Sequence, residues 1–370
     1  MGRKSEHYYS SNPFWYLWRN KWLLIVGIWC SVNLILDYLF VTPNFPRWAR
    51  QKRLIRNVDK YSHLIPLESI ENSTAFSVFA KRLEAMNEPP YIIFFDKTNI
   101  DVTKNHICNL KVMPGALERL AAVAFDQEAE EALNRHDPSI PTVTVDFTHV
   151  RAVVPSDLEN KKYVTYQLIL MLRARIVIAL AKRGLNFWAM QQDSIWTSNF
   201  AMMDIENTYP DAHLLFDTVG NDQFPIYENM KNWICGSTFY VKGNHVNVEF
   251  FQQVVNLMRF RQSPDSSIMT YLCGLNRFKC VTLPKALISN SNFFMGNRSP
   301  ISVVIQVDHE SPLPKMELFR KWNLDFTSKK TKCDMKVLDD IRESVTLALP
   351  EVRQVPPPAK TSYYSQLKLR

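Results

Sequence analysis

No glycine-rich phosphate loop stands anywhere in the 370 residues. Neither G-x-x-x-x-G-K-[ST] nor G-x-G-x-x-G is present, and glycine occurs only nine times. This excludes the P-loop and the dinucleotide fingerprint as means of holding a nucleotide, and the composition excludes collagen. No repeat recurs at solenoid or propeller periods, and no Ser/His/Asp hydrolase signature appears. Cysteine is sparse, six in all, and none is spaced as C-x-x-C, so the usual framework of a structural zinc site is missing. Basic excess is missing where a nucleic-acid binder needs it. The net charge is +8, but residues 1–60 carry ten Lys/Arg against three acids and 351–370 carry four against one, which leaves 61–350 at −2. A middle without a basic footprint argues against nucleic acid as partner.

What the chain does have is one long apolar run, KWLLIVGIWCSVNLILDYLFV at 21–41, about the length of a bilayer-spanning helix. Trp22, Tyr38 and Trp48 suit membrane interfaces, and Asp37 lies near one end of the run. The core is long and no small-x-small cleavage site follows, so a retained anchor is expected rather than a cleaved signal peptide. Lys/Arg flank the run on both sides, so charge alone does not orient it. The sequons at Asn72 and Asn297 are candidate glycosylation sites and favour a lumenal C-terminal part, as in a single-pass type II protein. Five cysteines follow the run: Cys108, Cys235, Cys273, Cys280 and Cys333. An oxidising lumen allows two pairs with one cysteine over, and Cys273 and Cys280 are near enough to close a small loop.

Beyond a segment read as a stem (42–85), short apolar runs alternate with helical patterns. YIIFF ends at Asp96, and LERLAAVAF ends at Asp126 ahead of an acidic helix stopped by Pro138. PTVTVDF alternates as a strand does. Leu168, Leu172, Ile176 and Leu180 recur at helical spacing up to Gly184, and Arg173 and Arg175 argue against a second membrane span. NFWAM then leads straight into Gln191-Gln192-Asp193. Later come a strand through Gly236, an amphipathic helix over 246–261, a helix opened by Asp265 and a strand running into Asp308-His309. Strands alternating with helices predict an α/β fold with a mostly parallel sheet, whose ligands bind beyond the carboxyl ends of the strands.

The order of strand, acidic helix, strand, helix ending RG, then QQDSIW, resembles the nucleotide-diphospho-sugar transferase family over about residues 88–325. In that family a D-x-D-x-x-W motif follows the same strand. The resemblance implies a GT-A-like α/β/α sandwich at 86–330, preceded by a cytoplasmic tail (1–21), a signal anchor (22–41) and the stem, with a partly disordered extension at 331–370. It implies a Golgi glycosyltransferase moving a sugar from a nucleotide-diphosphate donor to a glycan or glycoprotein, with retention of configuration. It further implies a divalent cation, Mn2+ or Mg2+, because hard oxygen ligands and a Lewis acid suit a departing diphosphate.

Carried over by position, the metal would fall to Asp193, Gln191, Asp308 and His309. Nucleotide-sugar binding would fall to Asp96, Arg173, Gln192, Gly236, Ser237 and Gln306, and a catalytic role to Asp265. The sequence departs from the motif where Gln191 replaces the first aspartate and Gln306 the H of an H-x-N-like run, so a divergent branch is expected. The alternative from another class is a degenerate, non-catalytic member acting as a glycan-binding or scaffold protein.

Overall fold

The computed structural model describes residues 13–340, apart from 37, 39–44, 156–157, 159–160, 220–229, 231, 262, 291–292, 295–301, 308–312, 328–331 and 335. The chain forms two compact units, Met1–Arg56 and Asn57–Arg370. The first holds α1 (Pro13–Leu36) and most of α2 (Phe45–Tyr61). From Trp22 to Leu36 every large apolar side chain of α1 is at least 46% exposed. The polar Asn33 in this stretch bonds to the helix itself, its amide donating to Trp29 O one turn back at 2.7 Å.

Among the described residues the second unit contains the end of α2, α3 (Leu67–Glu71), α4 (Thr74–Glu84), α5 (Ile100–Leu110), α6 (Gln127–His136), α7 (Thr148–Val153), α8 (Lys161–Lys182), α9 (Ile205–Thr208), α10 (His245–Phe260), α11 (Asp265–Gly274) and α12 (Lys315–Lys321). Among them run β1 (Tyr91–Phe95), β2 (Leu120–Ala124), β3 (Thr142–Thr144), β4 (Phe187–Met190), β5 (Ser194–Trp196), β6 (Leu214–Val219), β7 (Trp233–Val241), β8 (Cys280–Thr282), β9 (Ile288–Asn290) and β10 (Val304–Gln306). Seven strands make the main sheet in the order β3-β2-β1-β4-β7-β6-β8, and β5-β10-β9 make a small second sheet. In the main sheet only β7 runs against its neighbours β4 and β6. The predicted α/β fold with a mostly parallel sheet is thus present.

Every residue of β1, β2 and β4 is buried, the mark of strands covered on both faces. One face, through Tyr91, Ile93, Phe95, Ala122 and Trp188, shares a core with Ile107 and Leu110 of α5 and Leu133 of α6. On α8, Leu168, Leu172, Ile176 and Leu180 are buried as their spacing predicts. By length and apolarity α8 would pass for a membrane span, yet 72% of its apolar window is buried inside the domain. Arg175, pushed down to about 10 by burial, donates from α8 to Ser62 O at 2.8 Å and to Ile65 O.

The stem expected over 42–85 needs correction, because residues 57–85 belong to the compact unit. Ile70, Phe76, Phe79 and Leu83 are buried, α3 lies against α8, and α4 lies against β3. The amphipathic spacing of α4 was readable, but its dilute apolar content hid the partner surface. Within the expected C-terminal extension, Cys333 is bridged to Cys108 of α5, and Leu338 is buried. The close pair Cys273–Cys280 is bridged as well. Cys235 takes no bridge, its Sγ lying 2.8 Å from Ser237 Oγ.

Candidate active site

Parallel strands point their carboxyl ends one way, and three of them deliver an aspartate there: Asp96 after β1, Asp126 after β2 and, past a short turn, Asp193 after β4. Asp126 caps α6 by accepting from Ala129 N at 2.9 Å, and also accepts from Lys97 N at 2.9 Å. Asp96 is more heavily engaged. It accepts from Thr98 N (3.0 Å), Thr98 Oγ1 (2.5 Å) and Asn99 Nδ2 (3.0 Å), and forms an ion pair with Arg151. Burial alone would raise its carboxyl, but these donors and the guanidinium hold it below the usual range.

Asp193 has no exposed surface, and Lys315, at the start of α12, forms an ion pair with its Oδ2. The Lys315 side chain is 36% exposed, that of Asp193 not at all. The small sheet fixes the Asp193 backbone, with Val307 N donating to Asp193 O at 3.2 Å and Ser194 in register with Gln306. On the other side, β7 pairs antiparallel with β4, Ala189 opposite Phe239.

Gly236 takes φ +72°, and a Cβ there would lie 3.3 Å from Ser266 Cβ. Glycine therefore lets β7 approach the start of α11. Gly236 O and the Asp265 carboxylate both accept from one nitrogen of Arg173, at 2.7 and 2.6 Å. Burial opposes the Arg173 charge, and the adjacent Asp265 outweighs it, so the guanidinium is held still more firmly protonated than usual. The sequence-predicted Arg173, Gly236 and Asp265 are thus brought together. Gln306 joins from β10. Its Nε2 donates to Asp217 Oδ2 (2.9 Å) and Asn290 Oδ1 (2.7 Å), and its Oε1 accepts from Thr238 Oγ1 (2.5 Å).

Asp217, Asn290, Thr238 and Lys315 escaped the sequence reading. Asp217 is fully buried on β6 and accepts from Gly236 N (2.9 Å), Thr238 N (3.1 Å), Asn290 Nδ2 (3.2 Å) and Gln306 Nε2. It sits where the β6–β7 register shifts, and its carboxylate takes up two backbone N–H groups at that irregularity. A lone acid inside LLFDTV was the available signal. Nothing in the sequence marks Lys315, because its partner is 122 residues away.

Gln192 is buried, and Gln191 is half-buried with its Oε1 lacking a hydrogen-bond donor among the described residues. Asp308, His309 and Asn297 lie outside the described residues, and Asn72 is exposed where α3 ends. Among the described residues, the one group of three candidate metal-ligating side chains is Cys108, His136 and Cys333, and its two sulfurs are bonded to each other. At the predicted metal position the described donors are one carboxylate already carrying an ammonium and one neutral amide. Among the described residues this donor set offers fewer anionic oxygens than a divalent cation asks for, and the other two predicted ligands, Asp308 and His309, lie outside them.

A family profile described as nucleotide-diphospho-sugar transferase matches residues 115–319. No curated protein matches the chain. Among solved structures, mouse xyloside xylosyltransferase 1 is similar at 12% identity and TM-score 0.41, over 61% of this chain and 99% of that one. The glycosyltransferase GlyE of Streptococcus pneumoniae aligns at 11% identity and TM-score 0.41, over 70% and 65%. An active-site mutant of LgtC aligns at 10% identity and TM-score 0.43, over 65% and 98%.

Proposed function

The chain belongs to the nucleotide-diphospho-sugar transferase family, and from that premise we propose that it transfers a sugar from a nucleotide-diphosphate donor to a glycan or glycoprotein in the Golgi lumen. The observation that carries this reading is the family match over 115–319, which takes in Asp193, Arg173, Gly236 and Asp265. Arg173, Gly236 and Asp265 converge, and Asp193 follows the carboxyl end of β4, the side on which open α/β sheets bind ligands.

In this reading Asp265 is the catalytic carboxylate and Arg173 its positioning residue, with Gly236 and Ser237 beside the sugar. Asp96, held by Arg151, faces the base and ribose. Gln191 and Gln192, in the turn after β4, and Gln306, in register with Ser194, are assigned to the donor side. The run 22–41 anchors the chain as a single-pass type II protein. The exposed, mostly apolar surface of α1 supports this, because a helix bonds its backbone internally and an apolar exterior suits lipid. Two disulfides suit an oxidising lumen, and the exposed Asn72 suits glycan attachment there.

The test is nucleotide release by the purified full chain in detergent, offered a panel of UDP- and GDP-sugars with oligosaccharide acceptors. Release from at least one donor, falling about 100-fold or more in Asp265→Asn, is expected for a charged group acting at the reacting centre. A chain that neither binds nor turns over any of the panel ends the proposal.

A further inference from the structure

Apart from the candidate active site, a cluster of metal-ligating atoms lies at the ends of α5 and α6. Cys108 Sγ, Cys333 Sγ and a ring nitrogen of His136 all lie within 4.8 Å of one another. Cys108 stands in the last turn of α5, and His136 is the last residue of α6. Leu110 and Leu133 of these helices share one core, and just past the helix ends Lys111 pairs with Asp137 at 3.4 Å. Cys333 is brought in from a distant part of the chain, where Asp334 N donates to Phe326 O at 2.9 Å. Its sulfur is bonded to that of Cys108.

The bridge alone gives His136 no role. Its Nε2 is buried and meets no hydrogen-bond partner among the described residues. Burial, with the nearby Lys111 and Lys104, pushes the imidazole below its usual range, against the pull of Asp137. The ring is therefore neutral and keeps a lone pair to offer. Lys104 and Lys111 stand four residues before and three residues after Cys108, on its side of α5. That setting favours a thiolate once the bridge opens. Cys108 has no exposed surface and Cys333 is partly exposed, so a reductant or a water reaches the cluster at Cys333.

We infer that Cys108, Cys333 and His136 form a site for a Zn2+ ion when the bridge is open. A dithiol supplies the two electrons: it is oxidised to its own disulfide, and the Cys108–Cys333 bond becomes two thiols. The cation displaces both thiol protons to solvent and takes two thiolates and one imidazole nitrogen, with water in the fourth place. Tetrahedral bonding at about 2.3 Å to sulfur and about 2.0 Å to nitrogen asks for ligand atoms about 3.5–3.8 Å apart. Groups already within 4.8 Å of one another reach that spacing by small side-chain shifts. The ion then holds Cys333 to α5 without the covalent bond, so the same two segments stay joined in either redox state.

The test uses the full chain in detergent, either oxidised or opened with dithiothreitol and freed of it under argon. Each form is titrated with Co2+ and then with Zn2+. The reduced chain is expected to take up one Co2+ with the intense visible absorption of tetrahedral thiolate ligation, which Zn2+ then abolishes. Zn2+ should also raise the melting temperature of the reduced chain and leave that of the oxidised chain unchanged. Cys108→Ser/Cys333→Ser should lose the absorption, while Cys273→Ser/Cys280→Ser, which removes the other bridge, keeps it. His136→Asn or His136→Gln, whichever is folded when oxidised by near-UV circular dichroism, should weaken uptake at least about 10-fold, since loss of partners that only orient a ligand already costs that much. Four results overturn the inference: no uptake by the reduced chain, equal uptake by the oxidised chain, unchanged uptake in the folded His136 variant, or uptake that is lost with Cys273 and Cys280 instead.

Discussion

At the scale of single residues the site is built from buried groups whose charges are answered locally. Asp217 illustrates how: four N–H donors surround one carboxylate, and two of them are backbone groups that the β6–β7 irregularity leaves over. His106 carries the clearest pH consequence. It is fully buried on α5, with Nδ1 2.8 Å from Ser194 O, beside Asp193 in sequence. Burial pushes its imidazole down to about 4, although the bond to Ser194 works the other way. In the unfolded chain the same group titrates near 6.5, so between these values the unfolded state binds the extra proton. Stability is complete above pH 6.5 and falls as pH drops toward 4, by up to about 3 kcal/mol from this group. Urea unfolding followed across that range should show the slope in the wild type and a flatter one in His106→Asn, which still offers Ser194 O a donor.

Elements show how side chains stand in for backbone. β5 has one strand neighbour, β10, and its other edge is closed by α5: Trp196 N donates to Asn109 Oδ1 at 2.7 Å and Asn109 Nδ2 donates to Trp196 O at 3.0 Å. This explains the buried polar face of α5 at Asn105, His106 and Asn109, which amphipathic spacing alone would place in water. A second close fit lies where β7 ends. A Cβ on Gly243 would sit 2.2 Å from the carbonyl carbon of Gly184, just after α8, so the two chain segments touch through backbone. Gly243→Ala must push them apart. It is expected to cost about 1–3 kcal/mol, seen as a lower urea midpoint with an unchanged slope.

For the molecule as a whole, the long-range disulfide sets how the ends are held. Cys108 and Cys333 are separated by 225 residues, whereas Cys273 and Cys280 are separated by 7. Loop-closure entropy then ranks them, about 5 kcal/mol for the first and about 2.5 kcal/mol for the second. Thermal unfolding of the paired variants Cys108→Ala/Cys333→Ala and Cys273→Ala/Cys280→Ala should fall in that order, and a reversed order would show that residual structure in the unfolded chain dominates. Beside the first bridge, Cys333 and Leu338 pack in a core with Ile195 of the small sheet.

The sequence by itself determined the strands and helices whose apolar period is strong and local: β1, β2, β4, α6, α8 and α10 stand close to where the pattern puts them. It also determined that Asp96, Asp193 and Asp265 stand at element ends, and its motif resemblance agreed with the family that the profile match shows. β5, β8 and β9 are three residues each, too short for a period to register, and β6 hides behind the acid Asp217. Only the tertiary structure decided what the aspartates touch. The pairs Asp193–Lys315, Asp265–Arg173 and Asp217–Gln306 join residues 122, 92 and 89 positions apart. Charge and hydrogen bonding act over a few ångströms of space, and sequence spacing carries no record of distances closed by a fold.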